Sequence, residues 1–306
     1  MRVFLTAVFA TCVLMVGPGS ALGKSAPRGF VKNKPVRVVV GGGSISMYFK
    51  GNYGQFLAHG CKNIEVVNRA KVGAGGRALV KRLRNAVLGD RKLMKQLAAK
   101  ESWLLFQGGL NSVFSPETTN HYLAQMFKLA SDSGIRTIAL SLTPWGRNGT
   151  ARFDGFEGVR FVRATKRVNA FLAGQLTPDR ALGRRAKKHA HEWLKGERPE
   201  IYVDVFNSAL RDKGAKLRDA KPLQRGFARS RYRRQKANKA KLVREAQQVP
   251  RNYMKKRFQS FDHIHPRSEG HRLMAELVCA KAPKSWGCDC AKIKRSKWHK
   301  SKVVGK

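Results

Sequence analysis

The stretch Val36-Arg37-Val38-Val39-Val40-Gly41-Gly42-Gly43-Ser44-Ile45-Ser46 decides how the chain is read. A β-branched run this apolar predicts a strand buried on both faces, as in a mostly parallel sheet. Three glycines end it, and glycine permits a tight turn and a close approach of the backbone to a ligand. Ser44 is therefore expected at the carboxyl end of a first strand, the edge where open α/β sheets bind their ligands. A plain strand-to-helix turn satisfies the same residues, so a nucleophile needs support from elsewhere.

Working outward, the pattern repeats. Ile64 to Asn68 (IEVVN) predicts a second strand, followed by a glycine-rich turn from Val72 to Gly76. Helical periodicity runs from Arg77 to Lys100 with a break at Gly89-Asp90. Ser102 to Gln107 (SWLLFQ) predicts a third strand, and Ile135 to Leu142 a fourth. Between them, Ser115-Pro116-Glu117 offers an N-cap, a proline at the first helical position and an early acid, so a helix should run to about Ser133. Pro178 to Lys195 reads as a basic helix, Ile201 to Phe206 as a fifth strand, and Pro266 to Lys281 as a closing amphipathic helix. Repeated strand, turn and helix units imply an α/β fold: a three-layer α/β/α sandwich with a mostly parallel central sheet.

The ends carry different signals. Arg2, the apolar run Val3 to Val16, the breaker Gly17-Pro18-Gly19 and the small residues Ser20 and Ala21 have the order of a secretory signal peptide, assigned to 1–23. The run is shorter than the roughly 20 residues a spanning helix needs. Export is therefore expected, with a basic linker at 24–35, one folded domain at 36–290 and a basic, disordered tail at 291–306. Beyond Cys12 of the leader, the cysteines are Cys61, Cys279, Cys288 and Cys290. An even number in an oxidising compartment predicts disulfides, with three pairings open. A metal site is the alternative, but the spacing does not match the usual zinc patterns.

With 62 Lys and Arg against 19 Asp and Glu, the formal net charge of +43 predicts attraction to polyanions. For an exported chain the expected partner is an anionic envelope polymer or a membrane surface; nucleic acid is the less favoured choice. Much of the charge falls in a basic insertion at about 215–258, where Phe227, Tyr232 and Tyr253 are interspersed. That segment fits either a polyanion-binding element or a solvated helical excursion.

Near the end of the chain stands Phe261-Asp262-His263-Ile264-His265-Pro266. An Asp and a His three apart on a loop before a helix can set a carboxylate behind an imidazole and orient it as a general base. His263 competes for that role, but the spacing and the following Pro266 favour His265. Dinucleotide binding at the glycines is disfavoured, because there is no G-x-G-x-x-G and no following lysine.

With these residues in hand the chain resembles the SGNH (GDSL-type) hydrolases over Val36 to Val278. Gly42-Gly43-Ser44-Ile45 is similar to the family's first block. Asn68 with Gly73-Ala74-Gly75-Gly76 is similar to the second, Gly109-Leu110-Asn111-Ser112 to the third, and Asp262-x-x-His265 to the last. The resemblance implies a catalytic Ser44, His265 and Asp262. It also implies an oxyanion hole from the N–H groups of Ser44 and Gly76 (Gly75 being the alternative) and the Asn111 amide. Two positions depart from the pattern, Gly43 and Ser112 standing where the family has aspartate; altered loop support is expected there. The implied activity is ester hydrolysis with no metal or organic cofactor, on an ester substrate such as an acylated carbohydrate. A catalytically degenerate scaffold that binds polyanions is the alternative.

Overall fold

The computed structural model describes residues 29–146, 151–188, 192–214, 217–230, 232–299 and 302–304. The expected signal peptide lies outside the described residues. Five strands form one sheet: β1 (Val36–Gly42), β2 (Ile64–Asn68), β3 (Glu101–Gln107), β4 (Arg136–Leu140) and β5 (Ile201–Val203). Every pairing is parallel, and the order is β2-β1-β3-β4-β5. The first strand lies inside this sheet and is buried along nearly its whole length, as its continuous apolar run requires.

Alternation along the strands sorts the core into two layers. Val39, Leu104, Phe106 and Ala139 face one apolar cluster. It is covered by α3 (Arg77–Leu83), α4 (Arg91–Ala98), α5 (Pro116–Asp132) and α7 (Phe156–Leu172). Val38, Val40, Leu105, Ile138 and Leu140 face the other cluster. That face is covered by α2 (Tyr53–Gly60), α11 (Ser268–Cys279) and α12 (Cys290–Arg295). The remaining short helices are α1 (Ser44–Met47), α6 (Ala151–Asp154), α8 (Pro178–Leu182), α9 (Ala220–Gly226) and α10 (Lys239–Gln247). The result is a three-layer α/β/α sandwich.

The chain runs from β1 outward to β2, then crosses back to β3 on the other side of β1. That reversal is a topological switch point, and the turns after β1 and β3 open on its crevice. Ser44 follows β1 directly and Asn111 lies just beyond β3. Gly42 shows why the turn needs glycine: at φ +137° a Cβ there would stand 1.9 Å from the Gln107 carbonyl oxygen.

Five expectations need correction. The tail beyond residue 290 is not disordered where described: it forms α12 and a hairpin of β6 (Lys297–His299) and β7 (Lys302–Val304). Its Ile293 is fully buried and Trp298 lies over Gly51, so apolar burial outweighs the charge of its lysines. The basic insertion is not a free helix, because Leu223 of α9, Phe227 just after it, and Val243 and Ala246 of α10 pack onto Phe156 and Val159 of α7. The basic helix from Pro178 stops being α-helical at Leu182, where Gly183 takes φ +58° and a 3-10 stretch follows. Ser115 sits at the N-cap of α5 but its side chain makes no capping bond. The linker also docks in its second half, where Phe30 is buried and the Val31 and Lys32 N–H groups donate to Glu65.

The cysteine pairing, open in the sequence, resolves into Cys61–Cys288 and Cys279–Cys290. Both bonds tie the C-terminal segment to the layer of α2 and α11, and Cys61 and Cys288 also meet as a β-bridge.

Candidate active site

Ser44 is the first residue of α1, a single turn that begins as β1 ends. Its hydroxyl oxygen lies 2.7 Å from His265 Nε2, although 221 residues separate them. The other ring nitrogen, Nδ1, is hydrogen-bonded to Asp262 Oδ2. With Nδ1–H donating to the carboxylate, Nε2 is left to accept from the serine hydroxyl. His265 and Asp262 keep 27% and 29% of their side-chain surface exposed, so the group sits at the surface of a crevice.

The loop that carries the pair is built around the Asp262 carboxylate. Oδ1 accepts from the Ser260 hydroxyl at 2.5 Å and from the Ile264 and His265 N–H groups at 3.0 Å each. Burial alone would raise the Asp262 pKa. The bonds from the His265 N–H, Ser260, the Ile264 N–H and the His265 ring outweigh burial and hold it at about 2. Folding the loop this tightly places His263 at φ +61°, among the described residues the one non-glycine in that region. Its ring turns away from Ser44, with Nδ1 3.1 Å from Gln259 Oε1. His265, not His263, faces the serine.

The other side of Ser44 is closed by the second and third blocks. Asn111 Nδ2 donates to the Ala74 carbonyl at 3.1 Å. A Cβ added to Gly43 would lie 3.3 Å from that same nitrogen, so the amide stands beside the backbone that carries Ser44. One amide N–H is thereby held, and the second is available to the crevice. Gly75 packs on Asn111, where an added Cβ would come within 3.0 Å of its Cβ. Gly76, at φ +45°, instead packs against Tyr122 and Ser112 and serves as N-cap of α3. Asn68 ties the second block to the turn that carries Ser44: its amide donates to the Ser46 carbonyl at 2.7 Å and its oxygen accepts from the Ala70 N–H.

Ser112, at the third-block aspartate position, is bonded in its own way. The Thr119 hydroxyl donates to its carbonyl at 2.6 Å and lies 2.9 Å from its hydroxyl oxygen. The turn is therefore fastened to α5 without an aspartate.

Several supporting residues carried no signal in the sequence. Ser260 and Gln259 are ordinary polar residues whose roles appear only when the loop closes. The Ser46 hydroxyl lies 2.7 Å from the Tyr53 hydroxyl and donates to the Gln107 carbonyl, fixing α1 from below. His271 is fully buried and stacked on Tyr48 at 4.8 Å, and neither ring nitrogen has a partner among the described residues. Burial, and then the nearby His265, hold its pKa down to about 3, so it is neutral. Around the mouth stand the exposed side chains of Met47, Phe49, Val72, Phe114 and Phe261, the last 90% accessible. Among the described residues no group of three or more His, Cys, Asp or Glu is placed to hold a metal.

No protein-family model matches the chain, and no curated protein sequence does. Solved structures similar to it include a proposed acylhydrolase from Bacteroides fragilis, with TM-score 0.46 and 16% identity over 83% of this chain and 88% of that one. A GDSL-like lipase from Bacteroides thetaiotaomicron aligns with TM-score 0.44 and 16% identity, over 79% and 85% of the two chains. A lipase/acylhydrolase from Enterococcus faecalis gives 0.40 and 13%, over 79% and 92%. The likeness is one of overall layout, and at this distance it carries nothing about activity.

Proposed function

We propose that the protein is an exported serine esterase of the SGNH type. The observation that carries this reading is the unbroken hydrogen-bonded relay from Ser44 through His265 to Asp262, set beside the Asn111 amide. In this reading Ser44 Oγ attacks the ester carbonyl carbon while His265 Nε2 takes its proton. The same proton then goes to the departing alkoxide, leaving an acyl-serine. Water, deprotonated by His265, attacks that acyl group; collapse restores Ser44 and releases the acid. Asp262 stays ionised throughout, holding the ring in the required tautomer and balancing the imidazolium. The Ser44 N–H, the Asn111 amide and a glycine N–H of the second block would bind the oxyanion. Gly76 is the residue the motif designates, and its neighbour Gly75 is the one against Asn111.

The chain's net charge of +43 favours a substrate carried on an anionic surface, such as an O-acetylated carbohydrate or envelope polymer. A binding protein without turnover is the competing reading, and the intact relay favours the esterase. The test is hydrolysis of p-nitrophenyl acetate, with fluorophosphonate labelling, by the protein and by Ser44→Ala. Turnover and labelling lost together in the variant support the esterase. A folded wild-type protein that neither turns over nor labels overturns it.

A further inference from the structure

A cleft of about 280 Å³ opens where the start of α5, the outer face of α7 and the basic insertion meet. Its walls include Phe114, Glu117, Arg160, Arg163, Arg167 and Tyr232. The three arginines stand at i, i+3 and i+7 on α7, hence on one face, spread over about 10 Å along the axis. Two of them are oriented by neighbours. Arg160 lies over the Phe114 ring at 4.7 Å, donates to the Phe114 carbonyl and is paired at 3.8 Å with Glu157, a second carboxylate of the wall. Arg167 is paired with Glu117 at 2.7 Å. Between them Arg163 is exposed, and among the described residues it has no ion pair and no side-chain hydrogen bond. The cleft thus presents one unneutralised guanidinium, framed by two fixed ones, next to aromatic walls.

Its position matters as much as its charge. Phe114 comes three residues after Asn111, on the continuation of the same turn, and its ring packs on Phe161 of α7 at 4.1 Å. The cleft therefore begins one turn from the residue beside Ser44. The insertion, which the relay does not use, supplies the far wall through Ser230 and Tyr232.

We propose that this cleft is a subsite for a carboxylated sugar, so that the substrate is an acylated acidic glycan bound across both sites. A guanidinium recognises a carboxylate bidentately, which suits the carboxyl group of an acidic sugar and offers nothing equivalent to a neutral one. An acidic residue of the glycan sits on Arg163 while an acylated residue elsewhere along the same glycan reaches Ser44. The proposal rests on the esterase reading for its second half only; binding to the cleft does not require turnover.

The experiment separates the two. Titration calorimetry of a de-acetylated oligouronate into Ser44→Ala reads the subsite without chemistry, with Arg163→Gln and Arg163→Glu added in that background. Lys92→Gln, on the exposed side of α4, controls for bulk charge. Affinity should fall about five- to twentyfold in Arg163→Gln, further in Arg163→Glu, and less than twofold in Lys92→Gln. With Ser44 intact, Arg163→Gln should raise KM for an O-acetylated polyuronate by a similar factor. It should leave kcat on that polymer, and all turnover of p-nitrophenyl acetate, within twofold. Equal losses in Lys92→Gln and Arg163→Gln would make the binding non-specific attraction and overturn the subsite. So would KM rising equally for an O-acetylated neutral glycan, or a duplex DNA competing at the same stoichiometry in wild type but not in Arg163→Glu. Absence of p-nitrophenyl acetate turnover, with oligouronate binding intact, would sink the esterase and leave the cleft standing.

Discussion

The two ends of the molecule are fastened by different physics. At the carboxyl edge of the sheet the working residues are held by side-chain hydrogen bonds: Asp262 by Ser260 and two backbone N–H groups, Asn111 by Ala74, Ser46 by Tyr53. At the opposite end, Cys61–Cys288 closes a loop of 227 residues covalently, and the neighbouring Trp286 packs edge-on against Trp103 at the start of β3. Hydrogen-bonded parts respond to protonation and can adjust during a reaction; a disulfide responds to redox state and is otherwise fixed. On the esterase reading, the edge that would rearrange charge is held by groups that tolerate it, and the covalent bonds lie at a distance.

The largest test of this contrast is chemical. Ser44→Ala or His265→Ala should lower kcat on p-nitrophenyl acetate by at least about 10⁴-fold, because members of such a relay act as a unit. Neither should shift the thermal midpoint by more than a few degrees. A variant retaining a tenth of the activity would show that the relay is structural.

Asn111→Ala should cost about 10²- to 10³-fold in kcat with KM little changed, the usual loss for one oxyanion donor. A change confined to KM would place Asn111 in ground-state binding instead.

The opposite end should behave in reverse. Cys61→Ser with Cys288→Ser removes the longer loop closure and should destabilise by about 2–4 kcal/mol, read by denaturant unfolding. Activity of the folded fraction should be unchanged. Lost activity at full folding would mean that the two ends are coupled.

The smallest effects concern acid. His271 is held neutral, with a folded pKa of about 3 against 6.5 outside the core. The unfolded chain therefore binds more protons, and stability should fall as pH drops from about 6.5 towards 3. His271→Phe should flatten that arm while leaving stability at pH 7 equal or higher, since it also removes two unpartnered nitrogens. Asp262 acts lower: its folded pKa of about 2 lies below the ordinary 3.8. Its contribution is present above pH 4 and lost as pH falls through 2. For a partly exposed carboxylate this is about 1 kcal/mol after screening. Asp262→Asn should remove that last step, and an unaltered acid curve in either variant would refute the assignment.

The sheet was legible because its signals are local. A buried parallel strand must be apolar along its length, as Val36 to Val40 and Trp103 to Phe106 are, and Gly42 must be glycine once Gln107 lies against it. The pair Asp262 and His265 was legible for the same reason, since three residues and a proline constrain one loop. Less legible were features that depend on what packs where. The lysine-rich tail reads as solvated until Ile293 is seen to fill the groove beside Gly60. The insertion reads as a charged helix until Leu223 and Val243 find Phe156. Ser260 and Gln259 carry no signature, because a serine or glutamine becomes a second support only when the loop brings a carboxylate or an imidazole to it.

By itself, then, the amino-acid sequence determined the α/β alternation, the order of the strands along the chain and the short-range motifs. Each of these follows from backbone propensity and hydrophobic period within about ten residues. Only the tertiary structure decided which cysteines pair, which residues brace the Asp262 loop, and that three arginines of α7 line one cleft with the insertion. Those outcomes join residues up to 227 apart. They are set by how the helical layers fill the space on either side of the sheet, a property of the packed whole that no local stretch contains.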